Sequence, residues 1–148
     1  MHNPRLLLTL TLLLCLHHLH AADYYVSPTG DDSNSGTQAN PWKTVNTSIG
    51  KLSAGDTLIL EAGATFAEDV TIENGGTSTN PVTITSSASN RATIQGTGTS
   101  EGILVWNCAG IVLENLIIDG PGPTGATKSG VAFMSDSGQL DYIRAINL

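Results

Sequence analysis

Histidine and cysteine are nearly missing from this chain of 148 residues, and both are crowded toward its start. His2, His17, His18, His20 and Cys15 all come before Ala22, which leaves Cys108 as the one residue of either kind beyond that point. A chain without that stretch has no internal disulfide, no Ser-His-Asp or Cys-His pair and no ordinary zinc site. Its stability must rest on regular hydrogen bonding and packing, with Cys108 read as a small buried hydrophobe. Basic residues are scarce as well. Past Arg5, only Lys43, Lys51, Arg91, Lys128 and Arg144 stand against thirteen carboxylates, a net charge of −8. Such a surface repels nucleic acid and anionic membranes, and it opposes an acidic polysaccharide unless a cation bridges the two. Aromatics are few at 5%, whereas glycine numbers 16. With plentiful Val, Ile, Leu and Thr, that mixture suits short strands and tight turns.

No apolar run reaches the roughly 20 residues that a spanning helix needs. The longest, Leu6 to Leu16, is broken only by Thr9 and Thr11, follows Arg5 and precedes the small Ala21 and Ala22. This is the pattern of a secretory signal peptide over positions 1–22. The remainder is expected to be secreted, in a periplasm or at the cell surface, with no membrane contact once the leader is cut. An uncleaved anchor is the alternative, because His20 fits poorly two positions before a terminal Ala22. Cys15 follows three leucines where a lipid-attachment site would have small residues, so that reading is rejected.

Residues 23–56 open with strand-like Tyr24-Tyr25-Val26 and a polar, turn-rich loop from Ser27 to Gly36. Pro41-Trp42 leads into Lys43 to Leu52, where Val45, Ile49 and Leu52 mark one apolar face of a short helix. From Thr57 the period changes to that of strands. Segments 57–60, 70–72, 82–85, 92–95, 102–106, 111–118, 131–133 and 140–148 read as strands between turn formers such as Gly63, Gly75-Gly76, Gly98, Gly110 and Gly138. No sustained helical pattern intervenes, so the chain is all-β: a sandwich, a barrel or a solenoid.

An internal repeat favours the solenoid. Ile94-x-Gly96 returns as Ile118-x-Gly120, and Leu113-x-x-Leu116-x-Ile118 returns as Ile143-x-x-Ile146-x-Leu148. Both spacings fall within the periods of about 20–50 residues that belong to stacked units. The second is the longer, and the loop Pro121 to Gly130 accounts for the difference. The two-position gap in the second pattern marks a bend between strands. The expected register sets Leu113 beneath Ile143 and pairs Glu114 with Arg144 outside, an exposed contact of about 0–1 kcal/mol.

Several stretches carry a family likeness: Tyr24-Tyr25-Val26-Ser27-Pro28-x-Gly30, Pro41-Trp42-Lys43-Thr44 and Ala54-Gly55-Asp56-Thr57-Leu58-Ile59-Leu60. Gly76-Thr77, Asn80 to Ile84, Ile94-Gln95-Gly96 and Leu113 to Leu116 continue it in order. Through these, residues 23–120 resemble the start of secreted right-handed parallel β-helix proteins of the pectate-lyase-like group. The resemblance implies a cap over residues 23–56, whose helix plugs the stack with Trp42 as anchor, followed by coils of three short strands over 57–148. The group includes pectate, alginate and chondroitin lyases, hydrolases and proteins without known activity. Its lyases have more coils, with catalytic Lys or Arg and calcium-binding carboxylates mid-stack. Residues 57–148 are therefore expected to be a truncated set of coils, incomplete at the C-terminus, whose open end would invite self-association.

Candidate chemistry is sparse. Asp31, Asp32 and Asn34 offer closely spaced oxygens before Gly36, a calcium candidate beside the plainer reading of a solvated turn. Glu68 with Asp69, and Glu114 with Asp119, are candidate carboxylate pairs for calcium or acid-base work, against the default of surface charge. Elimination beside a uronate needs a base and a stabilising cation. Lys128 and Arg144 are the only cations after Arg91, and neither is assigned that work, so the catalytic residues are left unknown. Asn46-Thr47-Ser48 is a glycosylation sequon on the expected helix. Calcium is the one cofactor considered, zinc and nucleotide are not expected, and the expected partner is polysaccharide. The leading expectation is the first part of an extracellular lyase of acidic polysaccharide, such as pectate, alginate or a glycosaminoglycan. The alternative is a non-catalytic glycan-binding or structural β-helix module.

Overall fold

Alternation of aliphatic with polar residues decides which way each strand faces. In Thr57–Leu60 and Val82–Thr85 every second side chain is buried, and the residues between point outward. The computed structural model describes residues 21–97, 101–120, 130–136 and 140–148. The expected leader residues 1–20, the turn glycines Gly98 and Gly138 and the loop 121–129 with Lys128 lie outside the described residues. The elements are β1 (Asp23–Val26), α1 (Val45–Ile49), β2 (Thr57–Leu60), β3 (Thr65–Ala67), β4 (Val70–Ile72), β5 (Val82–Thr85) and β6 (Ala92–Gln95). They continue with β7 (Ile103–Trp106), β8 (Ile111–Glu114), β9 (Leu116–Asp119), β10 (Val131–Met134) and β11 (Ile143–Ile146).

Every strand pairing is parallel, and successive coils feed three sheets: β1-β2-β5-β8-β11, β3-β6-β9 and β4-β7-β10. This is a parallel β-helix. The inward side chains stack in columns, Leu58 on Ile84 on Leu113 and Phe66 on Ile94 on Ile118, with Val70 on Ile103 on Val131 across the core. Leu58, Ile84, Leu113, Ile94 and Ile103 are wholly excluded from solvent. Burying each such side chain contributes about 1.5–3 kcal/mol. Inward positions of the last coil, such as Val131, Phe133 and Ile143, are less covered, because no described coil overlies them.

Two expectations needed correction. The helix is shorter than Lys43 to Leu52: α1 spans Val45–Ile49 and unwinds in turns through Lys51 and Leu52. The bend expected in the gap between Leu113 and Leu116 falls at Asn115, whose φ of 55° divides segment 111–118 into β8 and β9 and swings the chain onto the next face. The other correction is that the register of the final coil is displaced from the expected one. Ile143 lies beside Ile111 rather than Leu113, Arg144 beside Val112, Ala145 beside Leu113 and Ile146 beside Glu114, so Glu114 and Arg144 are not partners. Matching apolar letters missed the group that fixes this register. Asn147 repeats the left-handed bend of Asn115, with φ 58°, and its Nδ2 donates to the Asn115 Oδ1 at 3.0 Å. The bends stack, and the strands must follow. The earlier repeat holds, since Ile94 lies beside Ile118.

Leu113→Ala, in the middle of a column, is expected to lower unfolding free energy by about 2–5 kcal/mol in urea titration, with little change in slope. A loss of under about 1 kcal/mol would show that the column is not the core.

Candidate functional site

The polar loop after β1 closes on Trp42, and this builds one wall of the site. Trp42 is 4% exposed, stacks on Tyr24 at 4.9 Å between centroids, and donates its indole N–H to the Asn34 carbonyl at 2.8 Å. Lys51 Nζ lies 4.5 Å from its ring centroid. Gly36, at φ 76°, packs against the indole so closely that a Cβ would sit 2.6 Å from it. The expected role of Trp42 as anchor of the cap agrees with these contacts.

The calcium candidates serve the same wall. Asp31 Oδ1 accepts from the Ser33 N–H and Oγ–H, which lowers its pKa below the ordinary 3.8. Asp32 Oδ1 accepts from the Lys43 and Thr44 N–H groups, and Oδ2 accepts from the Thr44 hydroxyl. Desolvation works to raise the Asp32 pKa, but these hydrogen bonds and the Lys51 charge outweigh it and the net shift is downward. Asn34 turns its amide N–H to the Pro41 carbonyl at 2.9 Å. Each of the three thus has donors or acceptors of the chain's own, and the loop is held shut by them. No group of three or more His, Cys, Asp or Glu suited to a metal is found among the described residues.

The candidate carboxylate pairs separate in the same manner. Glu68 receives the first amides of α1, Val45 N–H at 2.9 Å and Asn46 N–H at 3.0 Å, and so ties the helix to the first coil. Asp69 instead accepts from the backbone and hydroxyl of Thr97. Glu114 ends β8 on the outer face, and Asp119 ends β9 on another sheet. The sequon residue Asn46 receives the Thr71 N–H on its side-chain oxygen at 2.9 Å. Cys108 is half-buried against the core and donates to the Ile72 carbonyl at 3.4 Å. Burial, followed by the Glu73 charge, pushes its thiol pKa up and keeps it protonated.

A further opening lies where the sequence pointed to nothing. A cleft of about 650 Å³ runs over the outer face of β1, β2 and β5, between the Pro41 wall and the turn at Ser87. Its floor is one outward row, Tyr25 beside Ile59 beside Thr85, which β8 extends with Glu114. Glu61 and Gln38 stand at its edge. The Ser27 hydroxyl donates to the Glu61 carboxylate and neighbours the Thr29 hydroxyl at 2.9 Å, so Glu61 is positioned. An aromatic face, an aliphatic patch, hydroxyl and carboxylate groups held by one another and a side-chain amide match the two-sided chemistry of a sugar ring. Glycoside hydrolysis needs a second carboxylate about 5–9.5 Å away. Only Glu61 among the lining residues carries one, and no Lys or Arg lines the cleft. Strand alternation gave these residues as outward; only the lateral register brings them together.

The model of the Pel9A-like, right handed beta helix region matches residues 24–145. The uncharacterized protein YwoF of Bacillus subtilis (strain 168) is 34% identical over 77 residues, which are 51% of this chain and 16% of that protein. The GH136 lacto-N-biosidase from Eubacterium ramulus, as its selenomethionine derivative, superposes with a TM-score of 0.69 at 26% identity over 86% of this chain and 26% of its own. Its native form gives 0.56 at 28% identity over 72% and 22%. The chain therefore spans 26% or less of the length of these proteins.

Because Asp31 and Asp32 titrate below their ordinary value, their contribution to stability is present above about pH 4 and is lost as pH falls through the lowered values. The midpoint of thermal unfolding should therefore drop as pH falls below about 4, and an Asp31→Asn, Asp32→Asn double variant should show a flatter acid limb. Equal acid limbs would remove these carboxylates from the cap's stability.

Proposed function

We propose that this chain, which belongs to the Pel9A-like right-handed β-helix family, forms the leading coils of an extracellular carbohydrate-active protein and binds glycan in the cleft over β1, β2 and β5. The observation that carries this is the row Tyr25, Ile59 and Thr85, flanked by Gln38 and the hydroxyl-anchored Glu61. The β-helix is a polysaccharide-related fold, and the structural neighbour is a glycoside hydrolase. A neutral glycan is the favoured occupant. The mature charge of −8 and a carboxylate at the rim repel uronates, and no lining cation offsets them. These coils supply binding and orientation; the bond-breaking groups are assigned to parts of the protein beyond them.

A second reading, a calcium-assisted lyase of acidic polysaccharide, is favoured by the pectate-lyase-like family itself. It requires a base and a cation near the uronate α-proton, and the cleft lining holds neither a lysine nor an arginine.

Titration with cello-, xylo- and galacto-oligosaccharides, followed by tyrosine fluorescence and calorimetry, should reveal binding to at least one. Tyr25→Ala should weaken it about tenfold, while Tyr25→Phe keeps most of it. No ultraviolet-absorbing unsaturated product is expected from pectate, alginate or chondroitin. Binding only to those acidic chains, with calcium-dependent product release, would replace this reading with the lyase.

A further inference from the structure

Asp56 closes the cap and begins the first coil, and it is buried to 4% exposure. Its two carboxylate oxygens accept from the Ala22 N–H at 3.0 Å and from the Ser53 N–H at 2.8 Å. Both donors are neutral amides, and among the described residues Asp56 forms no ion pair. A buried carboxylate without a compensating charge is an unfavourable arrangement. Ala22 is also used on its other side, where its carbonyl accepts from the Thr57 N–H at 2.9 Å. That bond belongs to the first rung of the β1–β2 ladder, the pairing of Asp23 with Thr57. The residue before it, Ala21, is exposed.

The geometry points to removal of the leader by hydrolysis of the Ala21–Ala22 bond, after which the new α-ammonium of Ala22 docks as an ion pair on the buried Asp56 carboxylate. This places the start of the mature chain one residue before the boundary expected from sequence. A leader peptidase would consume one water: the C–N bond breaks, the Ala21 carboxylate departs with the leader, and the freed Ala22 amine is protonated. A cut after Ala22 would leave the Thr57 N–H without its acceptor and take one donor from Asp56. A cut after Ala21 keeps both contacts and turns a neutral donor into a cation at the carboxylate. The residues near the bond agree. Small Ala21 precedes it and uncharged Leu19 stands two further back, whereas a cut after Ala22 would set His20 there.

The inference rests on the export reading, and the experiment separates the two. The full 1–148 chain is produced in a bacterium with an intact secretion pathway, and the exported protein is analysed by intact mass and N-terminal sequencing. Ala22 is expected as the first residue. A first residue other than Ala22 overturns the proposal, and retention of Met1 in the membrane fraction overturns the export reading with it. The ion pair has its own readout. Acylation of the α-amine by an N-hydroxysuccinimide ester near pH 7 should run about tenfold faster in exported Asp56→Asn than in wild type, because the carboxylate holds the amine protonated. Should that variant not accumulate, folded and urea-unfolded wild type are compared, with the folded amine about tenfold slower. Equal rates sink the docking.

Discussion

Lateral register between coils is the constraint on which the rest of this molecule depends. A strand in a parallel stack has its backbone N–H and C=O groups satisfied by the coils on either side, so any slip costs hydrogen bonds along the whole rung. A one-residue slip would also turn every aliphatic side chain out of the column. Two devices hold the rungs in place here. The columns through Ile84 and Leu113 fill the interior, and the left-handed bend at Asn115 is repeated by Asn147, whose amide bonds it directly. Asparagine suits that position because it tolerates a positive φ and carries a group that can bond its counterpart in the next coil.

The first coil meets a different difficulty, an uncovered edge and an open core. The cap answers it with polar joints as much as with apolar cover. Trp42 packs against both Tyr24 and Lys51, Asp32 gathers the amides of Lys43 and Thr44, and Glu68 reaches from the coil to the first amides of α1. Val45 and Ile49 then present a small apolar face to the stack. A five-residue helix has little intrinsic stability, so it persists through these attachments. Carboxylates that look like candidate ligands along the sequence are thereby committed to backbone donors.

The same register makes the cleft. Tyr25, Ile59 and Thr85 stand in separate coils, far apart along the chain, yet adjacent across three strands. A β-helix generates such rows on every outer face at no extra structural cost, and the cap loop converts this one from a flat surface into a walled groove through Pro41 and Gln38. The groove thus follows from where the cap ends and the coils begin.

The sequence by itself determined the architecture and the direction in which the strand side chains of the earlier coils face. Alternation in Thr57–Leu60, Val82–Thr85 and Ala92–Gln95 is a local property of the strand, and the recurrence of Ile94 at Ile118 announced the stack. Asn115 was visible as a bend, through the gap between Leu113 and Leu116. Tertiary structure decided the spacing of the last coil, because apolar letters set Ile143 on Leu113 as readily as on Ile111, whereas the stacked asparagines and the backbone bonds from Gly110 and Ile111 to Asp141 and Tyr142 fit the observed register. It also decided the partners of Asp32, Glu68 and Asp56, and the membership of the cleft. Hydrogen bonds and cleft walls depend on neighbours across strands, and the distance along the chain between such neighbours varies with every loop.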